Sequence, residues 1–221
     1  MTRRAAIVAA LALVSLLAGC AGVDPVRPAV LPTPSPSVST PTTFAVVGDS
    51  LSAGCVPYPG TTPDDCSWIF SADDDPRLEY VGGWVQSGAQ STLMAESVSP
   101  GRADVLVILA GTNNVFGNVP LSRLQTDLDS ITDTVESRDV LLLAIPPMES
   151  EAGTTTVADV NAYLKLLAAD RGWNYFDPWS EYRAEDGHWV TGVAPDGVHP
   201  TADIQQTTGR RIAAYIDGLT L

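Results

Sequence analysis

Apolar residues follow two patterns along residues 43–221. Short continuous runs recur at Phe44–Val47, Leu78–Val85, Ala103–Ala110, Val140–Ile145 and Trp173–Phe176. Runs of roughly four to eight apolar residues bounded by turn signals read as buried strands. ADVLVILA at 103–110 is continuously apolar rather than alternating, which suits a parallel sheet covered on both faces. Between these runs the spacing becomes helical. Leu121, Leu124, Leu128, Ile131 and Val135 share one face, with Pro120 or Ser122 at its start. Val157, Val160, Tyr163, Leu164 and Leu167 share another, closed by Gly172. Further helices are predicted over 51–54, near Trp68–Ser71 and from Ser91 or Thr92. A long one spans 202–219, with Ile204, Ile212, Ala213, Tyr215 and Ile216 toward the core. Alternating strands and helices predict one α/β domain on a parallel sheet, with ligands beyond the carboxyl ends of the strands.

The N-terminal run has a different meaning. Arg3 and Arg4 precede an apolar stretch, Ala5–Leu17, and Leu17-Ala18-Gly19-Cys20 follows. The stretch is a secretory h-region, short for a membrane span. The tetrad resembles a bacterial lipobox, which implies cleavage after Gly19, lipid on Cys20 and stable attachment to a membrane surface. An ordinary secretory signal with a chance cysteine is the alternative. Residues 24–42, including PTPSPSVSTPTT, are too poor in large apolar side chains to fold. They read as a tether or as a plain disordered tail. The expected organisation is therefore a signal segment at 1–19, an attachment cysteine and linker at 20–42, and a folded domain at 43–221.

Charge narrows the partners. The chain carries −14, and loss of residues 1–19 would remove two arginines and no acid. Such a surface argues against nucleic acid as a ligand. Of three cysteines, Cys55 and Cys66 remain beside Cys20, with ten residues between them. An oxidising compartment permits a disulfide there, with free thiols the other reading. Nothing nearby supplies the further His or Cys of a metal site.

The chemistry gathers at strand ends. Phe44–Val47 runs into Gly48-Asp49-Ser50-Leu51. A serine at a strand-to-helix turn is either a helix cap or a nucleophile. Gly88 follows the second strand, where a glycine can offer its backbone N–H or simply make a turn. Asn113 follows the third, where a carboxamide can donate to an oxyanion or tolerate a tight turn. A serine hydroxyl needs a base, and the chain has only His188 and His199 to serve near neutral pH. His199 has Asp196 on its own loop to bond Nδ1, leaving Nε2 for Ser50. His188, with Asp186 two residues before it, is the rival, expected as a loop or cleft-rim residue.

These four blocks, GDSL at 48–51, Gly88, GTN at 111–113 and DGVHP at 196–200, resemble in order those of the SGNH (GDSL-type) hydrolases. The resemblance covers essentially all of 43–221. It implies a flavodoxin-like three-layer α/β/α sandwich with a parallel sheet of about five strands. It further implies Ser50 as nucleophile, His199 as base, Asp196 as its orienter, and Ser50 N–H, Gly88 N–H and the Asn113 side chain as oxyanion hole. The chain departs from the family at Asn114, where the usual residue is Asp, and at Gln86-Ser87, where an asparagine often precedes the glycine.

The expected reaction is hydrolysis of a carboxylic ester through an acyl-serine, with no cofactor or metal. The substrate is a small-molecule or glycan ester, and a small acyl group such as acetyl is expected because the interval from Asn113 to Pro120 leaves little room for a lid. Tyr58, Trp68, Val115, Phe116, Trp179 and Trp189 stand as wall residues or as core. The loop from Cys55 to Pro76 is expected to form one wall of the cleft. An acyltransferase using the same triad, or an anchored binding domain without turnover, are the other readings.

Overall fold

The computed structural model describes residues 40–54, 60–149 and 154–219. The signal segment with Cys20, the linker as far as residue 39, Tyr58, and Cys55 with its expected pairing to Cys66 lie outside the described residues.

Five parallel strands form one sheet in the order β2-β1-β3-β4-β5. They are β1 (Thr42–Gly48), β2 (Leu78–Val85), β3 (Gly101–Leu109), β4 (Val135–Leu143) and β5 (Asn174–Phe176). This is the flavodoxin-like order, with the chain reversing direction across the sheet after β2. Eight helices connect and flank the strands among the described residues: α1 (Ser50–Ala53), α2 (Trp68–Asp73), α3 (Ser91–Ser97), α4 (Thr112–Phe116), α5 (Leu121–Thr134), α6 (Val157–Arg171), α7 (Ala202–Leu219) and a 3-10 turn at Ser180–Tyr182. On one side α2 packs on α7; on the other α5 packs on α3 and α6. The sheet between them makes the three-layer α/β/α sandwich.

The apolar runs are buried as their pattern requires. Phe44, Val46 and Val47 of β1, and Val105 through Leu109 of β3, are sealed from solvent on both faces. The edge strand β2 instead alternates covered or half-covered positions (Leu78, Tyr80, Gly82) with exposed ones (Glu79, Val81, Gly83). Its register against β1 shifts between Phe44, which pairs with Tyr80, and Ala45, which pairs with Gly82, so that Val81 is skipped. Gly83 has φ +140°, and a Cβ there would sit 2.0 Å from the Val46 carbonyl oxygen. Only glycine lets the two backbones approach this closely.

Three expectations need correction. Strand β4 starts at Val135, five residues before the apolar run, so α5 passes into it without a loop. Its first half, VESRD, alternates because it lies at the sheet's amino end, where only one face is covered. Asn113, weighed as an oxyanion donor or a turn residue, lies in a short helix, α4, that the sequence did not predict. The short helix expected near Trp68–Ser71 forms over 68–73, but it packs into the core through Trp68, Ile69 and Ala72 instead of walling a cleft. Gly209 of α7 meets it: a Cβ there would lie 2.3 Å from the Trp68 carbonyl oxygen.

Candidate active site

The β1–α1 turn fixes the serine. Gly48 lets the chain fold back tightly, because a Cβ there would fall 2.5 Å from the Ser52 hydroxyl oxygen. The helix cap is Asp49, whose Oδ1 accepts from the Leu51 backbone N–H at 3.0 Å. With capping assigned to its neighbour, Ser50 is left for other work. It is buried to 8% exposure, and its hydroxyl meets Nε2 of His199 at 2.8 Å.

His199 is held by its own loop. Asp196 Oδ1 accepts from the backbone N–H groups of Val198 (2.9 Å) and His199 (2.7 Å), and Oδ2 takes the ring Nδ1 at 2.7 Å. Burial alone would raise the Asp196 pKa, but these donors and the imidazole outweigh it and hold the carboxyl below its usual range. An ionised carboxylate only accepts, so Nδ1 carries the proton and Nε2 accepts from the Ser50 hydroxyl. The loop is pinned to the β4 side by Glu149 N–H donating to Gly197 O at 2.9 Å. It is tied to the helix that begins at Ser50 by buried Gln205, whose Nε2 donates to Leu51 O at 3.2 Å.

Asn113 joins the first three motifs. Its Nδ2 donates to Ala89 O at 3.0 Å and to Asp49 Oδ2 at 3.4 Å. Gln86 N–H donates to Gly48 O at 3.1 Å, closing the β2 loop against the serine turn. Gly88 is exposed with φ +77°, and a Cβ there would meet nothing within 4 Å, so the backbone conformation is what selects glycine. Below Asn113 lies a buried polar network. Asn114 accepts from Ser91 N–H (3.0 Å) and donates to Ser91 Oγ (2.7 Å), which donates to Asp127 Oδ2 (2.7 Å).

Asp49 is the most perturbed acid of the site. It is fully buried, and burial pushes its pKa up to about 6 against the Leu51 N–H and the nearby His199 charge, which favour the carboxylate. The Thr112 hydroxyl also lies close by, buried and without a hydrogen bond of normal geometry. Neither Asp49 nor Gln205 stood out in the sequence, since a buried polar residue breaks an apolar pattern without saying what it touches.

His188 lies elsewhere, with Nδ1 donating to Met148 O at 3.0 Å. It lines a cavity of about 480 Å³ with Asp177, Arg183 and Asn161. Of the proposed wall residues, Trp68, Val115, Trp179 and Trp189 are core. Trp68 and Trp179 spend their indole N–H groups on Ser52 Oγ (3.3 Å) and Ala144 O (2.9 Å). Phe116 is 40% exposed.

A doubly wound α/β sandwich with serine, imidazole and carboxylate in hydrogen-bonded sequence at its carboxyl edge is the arrangement that serine hydrolases use. The family model for GDSL-like lipases and acylhydrolases matches residues 46–207, and the chain belongs to that family. No curated protein matches it. Among solved structures it is similar to an inhibitor-bound aryl esterase of Mycobacterium smegmatis (TM-score 0.61, 16% identity, 80% of this chain and 99% of the other). It is also similar to a carbohydrate acetylesterase of Sinorhizobium meliloti (0.57, 16%, 80% and 99%) and an extracellular lipase of Streptomyces rimosus (0.53, 18%, 79% and 99%). Identities this low speak for the fold alone.

Proposed function

We propose that the protein cleaves carboxylic esters through an acyl-serine. Ser50 Oγ attacks the ester carbonyl as His199 Nε2 takes its proton, and Asp196 steadies the imidazolium through Nδ1. The imidazolium then protonates the departing alcohol, and water hydrolyses the acyl-serine by the same route. Ser50 N–H, Gly88 N–H and the Asn113 carboxamide supply the oxyanion hole, each donor worth about 10²–10³ in rate. One observation carries this reading: the Ser50–His199–Asp196 chain, at 2.8 and 2.7 Å, closes between residues 149 positions apart.

The natural substrate we infer is a small acyl group, such as acetyl, on a sugar or another alcohol. Four of the six aromatic and apolar wall candidates are committed to the core, leaving little apolar surface for a long acyl chain, which supports it. The neighbour named as a carbohydrate acetylesterase is consistent with it. A series of p-nitrophenyl esters should favour acetate, and a preference for about eight carbons or more would overturn the assignment. We further propose that Cys20 carries lipid, that residues 20–42 tether the domain outside the cytoplasm, and that Cys55 pairs with Cys66. Non-reducing mass spectrometry of the exported protein reads both features.

The test of the core proposal is a fluorophosphonate adduct mapped to a peptide. It should sit on Ser50. Ser50→Ala and His199→Ala should each abolish ester cleavage, while His188→Ala keeps most of it. Equal loss in His188→Ala would reassign the base.

A further inference from the structure

A helix cap needs one oxygen, and Asp49 spends one on it. Ser, Thr or Asn would cap as well without burying an ionisable group, which is costly. What the carboxylate adds is its second oxygen. Oδ2 takes the Asn113 Nδ2 at 3.4 Å, while Ala89 O takes the same nitrogen at 3.0 Å. A terminal carboxamide torsion is broad and twofold. Here two acceptors from two different loops face its two hydrogens, which fixes both the flip and the tilt of the group.

We infer that Asp49 is a positioning residue for the oxyanion hole, its Oδ2 aiming the Asn113 carboxamide at the oxygen of the reacting carbonyl. The inference rests on the serine-hydrolase reading above. The Ala89 bond is the anchor. The Asp49 contact is long for an N–H···O bond, so the same hydrogen, held in place, can be shared with the developing oxyanion in a three-centre bond. The position also explains why the acid adjoins the nucleophile in the chain: one turn places both the attacking oxygen and the guide for its stabilising donor. At pH 8 Asp49 is ionised even though burial pushes its pKa up to about 6.

Asp49→Asn tests the role. It keeps the cap oxygen and the volume but sets an NH₂ against the Asn113 NH₂, two donors facing one another. Steady-state kinetics with p-nitrophenyl acetate at pH 8 would compare wild type, Asp49→Asn, Asn113→Ala and the double variant. We expect Asp49→Asn to lower kcat about 3- to 10-fold, the worth of one modest hydrogen bond, with KM little changed. We expect the double variant to be no slower than Asn113→Ala alone, because a guide has nothing left to guide. Asp49→Ser, which caps without opposing Asn113, covers the case of a misfolded Asn variant and should show the same dependence on Asn113. Wild-type kcat in a folded Asp49→Asn, or an equal loss with and without Asn113, overturns the inference. Fluorophosphonate labelling separates the two levels: an unlabelled wild-type Ser50 refutes the hydrolase reading, whereas a labelled one beside an unimpaired Asp49→Asn refutes only the positioning role.

Discussion

The same Asp49→Asn change should stabilise the protein while impairing it, and the gain should depend on pH. In the native state burial moves the Asp49 carboxyl from 3.8 to about 6. The folded chain therefore binds this proton before the unfolded chain does as pH falls. Stability from this group rises as pH drops from about 6 to about 4, and is missing above 6. The displacement corresponds to about 3 kcal/mol at most. A neutral amide carries no such cost. For a domain of this size, about 2–4 °C in Tm accompanies each kcal/mol, so Asp49→Asn should gain up to about 6–12 °C over wild type at pH 8. The gain should shrink toward zero at pH 4, leaving the small penalty of opposed donors. Thermal unfolding by circular dichroism across pH 4–8 reads the difference. The charge that partly offsets burial is His199, so His199→Ala should move the midpoint of this pH dependence upward. A Tm difference that is flat across the range, or that favours wild type as pH rises, would refute the reasoning.

Asp196→Ala should lower kcat less than the roughly 10⁴ lost with a buried triad aspartate, because its side chain is 58% exposed and water can partly replace it; kcat at pH 8 measures this. Asn114→Asp removes the donor to Ser91 Oγ and sets a second carboxylate beside Asp127. It should cost about 1–3 kcal/mol in urea unfolding, with partial recovery on adding Asp127→Asn. Gly209→Ala drives a methyl into the Trp68 carbonyl and should cost about 1–3 kcal/mol by the same measure.

Much of this was legible in the chain because burial on both faces writes itself as uninterrupted apolar runs. β2 and α7 fall on the predicted bounds, and the helices at 121–134 and 157–171 follow their spacing. What escaped has common physical causes. α4 is a five-residue helix rich in asparagine, too short to show a period. The polar half of β4 pairs in register with β3 from Val135 onward, a long-range match that no local window contains. Tryptophans satisfied by Ser52 and Ala144 look in sequence just like tryptophans lining a cleft. The motifs carrying Ser50, Asp196 and His199 were visible by type and order. Asp49 and Gln205, which hold them together, became visible only through their partners.

The Ser50–His199 bond spans 149 positions, and Gln205 fastens the far side of it from within the last helix. Chemistry of this kind is silent during synthesis. A ribosome-bound or unfolded chain displays an ordinary alcohol with no base beside it, and the proposed reactivity would begin only when the tail of the domain has docked. Under the proposed mechanism, catalysis would double as a completeness check, and a truncated or misassembled copy would leave surrounding esters untouched.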